Sequence, residues 1–428
     1  MKMEVPSAKP ILSLAERLIG LGRRMSWKQA FAALRYRNFK LWFWGQMTSL
    51  FGSWMQITAQ GFLLYELTKS PIYLGLLGFA NGVPTWIFML YAGVVADRVP
   101  RRRLLLVTQT CMMVLAFVLA ALAFLHVVRP WHILLLSFGM GIANAFDAPA
   151  RQAFVLEMVE PADLTNAIAL NGAMFNTATA VGPAVAGVTY ALFGPAWCFV
   201  INGVSFIAVI GALAAMRLKP FVARDHIASV AKDLREGIRF VLRHETIRAL
   251  IATIGIVSGF GLAFATLVPA WAVHVLGGDA TTNGLLQSAR GAGALIGALL
   301  IASLGRFEFK GRLLTLGTFA FPGLLLVFSL IHWLPLALVT LLGVGVAQIF
   351  IFNLCNSLVQ TQVPEGLRGR VMGIYSMVFF GIMPLGALWV GAVAEHLSEP
   401  AAVFIGSSIT LGYALFVWFF VPGIRRLK

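Results

Sequence analysis

The sequence predicts an all-α polytopic membrane protein, and three observations carry that reading. Of 428 residues, 59% are hydrophobic and only 12% charged, where a soluble domain carries about 25% charged residues. Apolar runs of membrane-crossing length recur from Leu41 onward, without the alternation of a membrane barrel. The Lys and Arg residues gather in the connections on one side, the positive-inside pattern.

Residues 1–36 form a basic segment, expected in the cytoplasm. Trp27, Phe31 and Leu34 fall on one helical face, as in a helix lying on a membrane surface. Its apolar stretch Ile11 to Leu21 is broken by Glu16 and Arg17 and does not read as a cleavable signal. Spans are expected at 41–65, 72–96, 104–125, 131–158, 165–191, 197–216, 247–275, 282–304, 313–333, 335–361, 371–394 and 401–422. These twelve divide into a bundle at 37–216 and a second at 247–423. A linker at 217–246 separates them and a tail at 424–428 follows. Even parity puts both termini on one side. With that side cytoplasmic, all of the 33 Lys and Arg fall there except Lys69 and Arg129 in outer connections and Arg290 within a span.

The linker repeats Ile227, Val230, Leu234, Ile238 and Val241 at helical spacing, with Lys232, Arg235, Arg239 and Arg243 around them. That pattern is an amphipathic helix, expected to lie on anionic lipid and tie the two halves together, with a regulatory partner site as the alternative. The formal charge of +16 resides in such connections, which argues against nucleic acid. Cys111, Cys198 and Cys355 lie inside apolar runs as small core residues. The seven histidines form no metal-binding pair, and no phosphate-cradling Gly-x-x-x-x-Gly-Lys occurs. No enzyme, cofactor or metal is expected.

The second and third spans share the tight hairpin Gly93-Val94-Val95-Ala96-Asp97-Arg98-Val99-Pro100-Arg101-Arg102-Arg103. Asp97 ends its helix where the dipole disfavours a carboxylate. If the second span packs beside the eleventh, the unpaired N–H groups at the N-terminus of the eleventh supply the missing compensation; otherwise Asp97 only balances the neighbouring arginines. Gly93, one turn earlier, would let the two backbones approach. This contact is expected to close the cytoplasmic side. Arg101, Arg102 and Arg103 need other partners, such as lipid phosphate or Glu157. The hairpin is echoed at 305–312, and Val159-Glu160-Pro161-Ala162-Asp163-Leu164 is echoed at Val363-Pro364-Glu365-Gly366-Leu367. Two halves with repeated loops suggest alternating access.

Over nearly its full length the chain resembles the major facilitator superfamily. Gly93-x-x-x-Asp97-Arg98-x-x-Arg101-Arg102 is similar to its signature loop, and Gly182-Pro183-Ala184-Val185-Ala186-Gly187 to the fifth-span signature of its antiporters. Leu34-Arg35-Tyr36-Arg37-Asn38-Phe39, Gly45-Gln46, Ala145-Phe146-Asp147-Ala148-Pro149-Ala150-Arg151-Gln152, Asn166-Ala167 with Leu170-Asn171, and Leu367-Arg368-Gly369-Arg370-Val371-Met372 resemble the bacterial enterobactin-exporter-like branch. The resemblance implies twelve helices in two pseudo-symmetric six-helix bundles. It further implies proton-driven export of an amphipathic small molecule, drug-like or siderophore-like, from the inner membrane by a monomer. An uptake or lipid-moving permease and a non-transporting receptor or scaffold are the alternatives.

Polar residues inside the spans are the candidates for a substrate cavity: Gln46, Gln56, Asn144, Asn171, Asn176, Arg290, Asn353 and Asn356, with Gln348 beside them. Each is otherwise an interhelical hydrogen bond. Arg290 either snorkels outward or meets an anionic substrate group. Asp147 is the carboxylate deepest within a span. It is a candidate proton carrier, or else a cap for a helix restarting at Ala148-Pro149, paired with Arg151.

Overall fold

The computed structural model describes residues 31–218, 230–304 and 307–427, apart from the side chains of Met89, Leu90, Asp97 and residues 230–233. The surface helix expected before residue 31 and the linker at 219–229, with Ile227, lie outside these residues. Within them the chain is helical and has no strand. The first six long helices are α1 (Arg37–Thr68), α2 (Pro71–Arg98), α3 (Arg101–Phe124), α4 (Pro130–Phe154), α5 (Leu164–Phe193) and α6 (Pro195–Ala215). The amphipathic helix α7 (Val230–Arg243) follows. The second set is α8 (Glu245–Val275), α9 (Ala280–Leu304), α10 (Lys310–Phe328), α11 (Leu334–Gln362), α12 (Glu365–His396) and α13 (Glu399–Phe420). Nine of these meet the length and apolarity of a membrane span. The other long ones, α1, α2 and α5, have 32, 28 and 30 residues.

Local chemistry sets the ends. Proline opens α2, α4 and α6, where its missing N–H is no loss. Lys69 (φ 51°) and Gly194 (φ 85°) reverse the chain after α1 and α5. Ser398 accepts a hydrogen bond from the Ala401 N–H (3.2 Å) and caps α13. Two helices depart from expectation. The ninth expected span stops at Phe328, because 329–333 turn back toward α11. α8 is regular only to Ile256, then passes through wide turns at Val257–Gly261 and Trp271–Val275 with a tight stretch between them. Pro269 lies in this irregular part, where it supplies no N–H to a regular ladder.

Packing repeats between the halves. In the first, α2 lies on α4, α3 on α4 and α6, and α1 on α5 and α6. In the second, α9 lies on α11, α10 on α11 and α13, and α8 on α12 and α13. Across the halves, α2 packs on α12 and α5 on α9, which are the same pairing after exchange of halves. Each bundle has its own core, one drawn from residues 33–216 and the other from 241–424. Smaller clusters joining Tyr65, Leu74 and Ala270, and Ala280 with Phe62 and Tyr190, bridge them. All of these lie at the end remote from the arginine hairpin. α7 is tied to the second bundle by Arg370 and Glu236 (2.5 Å).

Candidate functional site: the seam between the bundles

Lipid gives helices little hydrophobic reason to associate, so close approach depends on small residues. Both seams use them. On α2, Gly75 faces Ala387, Leu388 and Gly391 of α12, and a Cβ added there would lie 2.7 Å from the Ala387 carbonyl oxygen. Gly78 faces Ala387, Gly82 faces Pro384, and Trp86 covers Gly381. The next turns of the stripe lead to Gly93, which meets nothing within 4 Å. On α12, Gly373, Gly369 and Gly366 are equally open. The α5–α9 seam behaves alike. Gly187 lies on Ala280 and Thr281, Gly284 on the Pro183 carbonyl and Gly291 on the Thr179 carbonyl, whereas Gly172 meets nothing within 4 Å. The bundles therefore touch along one half of their seams and part toward the arginine-rich end.

The closed half carries polar ties. Ser70 donates to Glu395 (2.7 Å), and so does the Ile72 N–H (3.3 Å). Thr58 donates to Gln287 (3.4 Å), and the Ala184 N–H to Ser288 (2.8 Å). The last of these falls inside the Gly182-Pro183-Ala184 segment, where α5 lies against α9. Gly182 itself packs on Trp54 of α1. Tyr190 donates to Glu66 across α5 and α1.

The hairpin arginines divide their partners. Arg101 pairs with Glu157 (2.6 Å), and Arg102 donates to the Ala214 carbonyl (2.7 Å) at the end of α6. Arg98 is exposed. The Asp97 side chain lies outside the described set; one turn earlier, a Cβ at Gly93 would meet nothing within 4 Å. Nearby, Asp163 receives Arg35 (2.5 Å) and Tyr36 (2.8 Å). The hydrogen bond to the Tyr36 hydroxyl, and Asp163 beside it, raise the Arg35 guanidinium above its ordinary value.

The polar candidates separate once helix rotation is known. Asn144 and Asn353, at related places on α4 and α11, are exposed, and Asn176 is half-buried. Asn171 accepts from Trp42 (3.3 Å), and Asn356 from Gln360 (2.6 Å). Gln46 is buried and its carbonyl oxygen has no partner. Gln56 requires a correction: it is buried inside the first bundle, accepts from Asn202 (2.7 Å) and donates to Gln60 (3.4 Å). Its amide is used in holding α1 to α6. Asn202, Gln60 and Ser137 complete this network. Asn202 stands out within its apolar run, but only packing reveals its partner. Arg290 reaches from α9 to Gln348 on α11 (3.2 Å).

Asp147 is buried between α3 and α4, accepting from Thr108 (2.9 Å) and Gln109 (2.8 Å) and pairing with Arg151 (3.4 Å). Helix α4 runs unbroken through Asp147-Ala148-Pro149. The helix-restart reading of Asp147 is thereby overturned, while the pairing with Arg151 is present. Among the described residues no cluster could hold a metal ion.

Two six-helix bundles that pair through exchanged seams, closed at one end and parted at the other, define a multi-pass membrane transporter of the major facilitator superfamily. The profile of the transmembrane secretion effector family matches residues 28–426, and the chain belongs to that family. It is 25% identical over 390 residues to the multidrug efflux pump Tap of Mycolicibacterium fortuitum, covering 89% of this chain and 95% of Tap. It is 25% identical over 371 residues to the enterobactin exporter EntS of Citrobacter koseri, covering 85% and 86%. The crystal structure of the peptide transporter POT in complex with sulfate superposes with a TM-score of 0.71 at 14% identity, covering 92% of this chain and 96% of that one. This last likeness shows the fold.

Proposed function

We propose that the protein is a proton-driven exporter of amphipathic small molecules in a bacterial inner membrane, with both termini and the arginine hairpin in the cytoplasm. The observation that carries this reading is the asymmetry of the seams: the arrangement is one of the two states alternating access requires, open toward the hairpin. Support for export comes from Tap and EntS, whose names give efflux and export, and from the Gly182-Pro183 segment lying in the α5–α9 seam. In the opposite state, Asp97 at the end of α2 meets the N-terminus of α12, and Gly93 packs on the stripe Gly366, Gly369 and Gly373. Gln46, Asn144, Asn171, Asn176, Asn353 and Asn356 line the route, together with Arg290. Asp147 reads as an ion-paired tie between α3 and α4.

The test is flux in inside-out vesicles with an acid interior, over a panel of neutral, cationic and anionic amphipathic fluorophores. Uptake is expected, and Asp97→Ala is expected to insert at the wild-type level and lose it. Losing a buried charge contact of a few kcal/mol shifts a two-state gate by orders of magnitude. Wild-type flux by a well-inserted Asp97→Ala protein, or flux only in the inward direction, contradicts the reading.

A further inference from the structure

Arg290 carries an unanswered charge. It lies ten residues beyond Ala280, the start of α9, about 15 Å along the helix at 1.5 Å per residue. Its side chain does not run back along α9 to the near surface; Nη1 crosses to the Oε1 of Gln348, a neutral acceptor on α11. Its Nε is buried and has no acceptor. Among the described residues no carboxylate forms an ion pair with it, whereas Arg35, Arg101, Arg151 and Arg370 each have one. A cation inside a membrane bundle without a counter-ion is costly, and such residues mark substrate or ion pathways.

Gly291, the neighbour of Arg290, makes the last close contact of the α5–α9 seam, on Thr179, so Arg290 sits where the bundles begin to part. One turn beyond Gln348 on α11, Phe352 lies edge-on to Phe379 of α12, with ring centroids 5.3 Å apart. An anionic head at Arg290 and an apolar or aromatic body along Phe352 would both be accommodated.

We infer that Arg290, seated by Gln348, is the binding site for the anionic group of the transported molecule, an amphipathic carboxylate. This rests on the transporter reading above. A guanidinium bonds a carboxylate through charge-assisted hydrogen bonds, and the same desolvated charge repels organic cations.

The test uses the full-length protein in phosphatidylcholine nanodiscs, which contain no acidic headgroup, and two probes matched in shape: dansyl-phenylalanine and its uncharged amide. Wild type is expected to bind the acid about tenfold more tightly than the amide, the scale of one charge-assisted contact. Arg290→Gln is expected to weaken the acid about tenfold and leave the amide unchanged, and Arg290→Lys to keep part of the preference. Gln348→Glu keeps Arg290 but provides an internal counter-ion, and is expected to weaken the acid about as much. That variant retains a paired, foldable site should Arg290→Gln not fold. Absence of saturable acid binding, equal binding of acid and amide by wild type, or equal effects of Arg290→Gln on both probes overturns the site. Added phosphatidylglycerol that displaces the acid at low mole fraction, without affecting the amide, reassigns the site to lipid headgroups and overturns the substrate assignment. Flux of the same probes in proteoliposomes is read separately. Amide flux without acid preference removes the anion site and leaves the transporter, whereas acid binding without flux of either probe removes the transporter and leaves the site.

Discussion

Glu395, near the C-terminal end of α12, accepts a hydrogen bond from Ser70 at the start of α2, with the Ile72 N–H beside it. A carboxylate is disfavoured at the end of its own helix and favoured at the beginning of another. Asp97 stands in the matching position at the opposite end of this antiparallel pair, near the C-terminus of α2 and facing the side on which α12 begins. In the proposed alternating-access cycle the two carboxylates serve opposite ends of one movement, and the Glu395 contact is made here.

Glu395→Gln keeps an acceptor and removes the charge. A helix-end charge contributes up to about 2 kcal/mol, so the population opened at that end should rise by up to about 30-fold. Spin labels on Leu67→Cys and Leu397→Cys, both at exposed positions, in a background without the native cysteines, should report longer distances in the variant. An unchanged distribution would show that Glu395 does not hold the seam.

Gly187 and Gly93 make a controlled pair. A Cβ at Gly187 would lie 2.6 Å from the Ala280 carbonyl oxygen, whereas one at Gly93 meets nothing within 4 Å. Overpacking costs typically 1–3 kcal/mol. Gly187→Val is therefore expected to lengthen the same spin-label distance, and Gly93→Val to leave it unaltered while stopping flux, because Gly93 is needed only when the other end closes. Normal flux by Gly93→Val would remove the proposed closure against α12.

Asp147 is bound by Thr108, Gln109 and Arg151. Asp147→Asn leaves Arg151 without its ion pair, and hydrogen bonds to a charged group contribute about 1.5–3 kcal/mol. The expected result is a lower melting temperature with gradient-driven flux per folded molecule preserved. If the variant instead loses pH-driven export and retains passive exchange and stability, Asp147 is the proton carrier.

The positions of the long helices were legible in the sequence because crossing a membrane is a property of each segment by itself. An apolar run of sufficient length satisfies its own backbone hydrogen bonds wherever it lies. The hairpin and the echo between halves are also local signals, and Glu157 was one of the two partners that charge and loop position offered the hairpin arginines. The rotation of each helix about its axis is not local. Gln56 and Asn144 look alike as amides in apolar runs, yet one is bound to Asn202 inside a bundle and the other is exposed, because neighbouring side chains decide which face turns inward. Glu395 gave no sign of its role, since its partner lies 325 residues away on the other bundle. The opening at Gly93 was equally invisible. Both states of a rocking transporter share every residue and differ by a few kcal/mol of seam contacts, so only the tertiary arrangement selects the end at which those contacts are made.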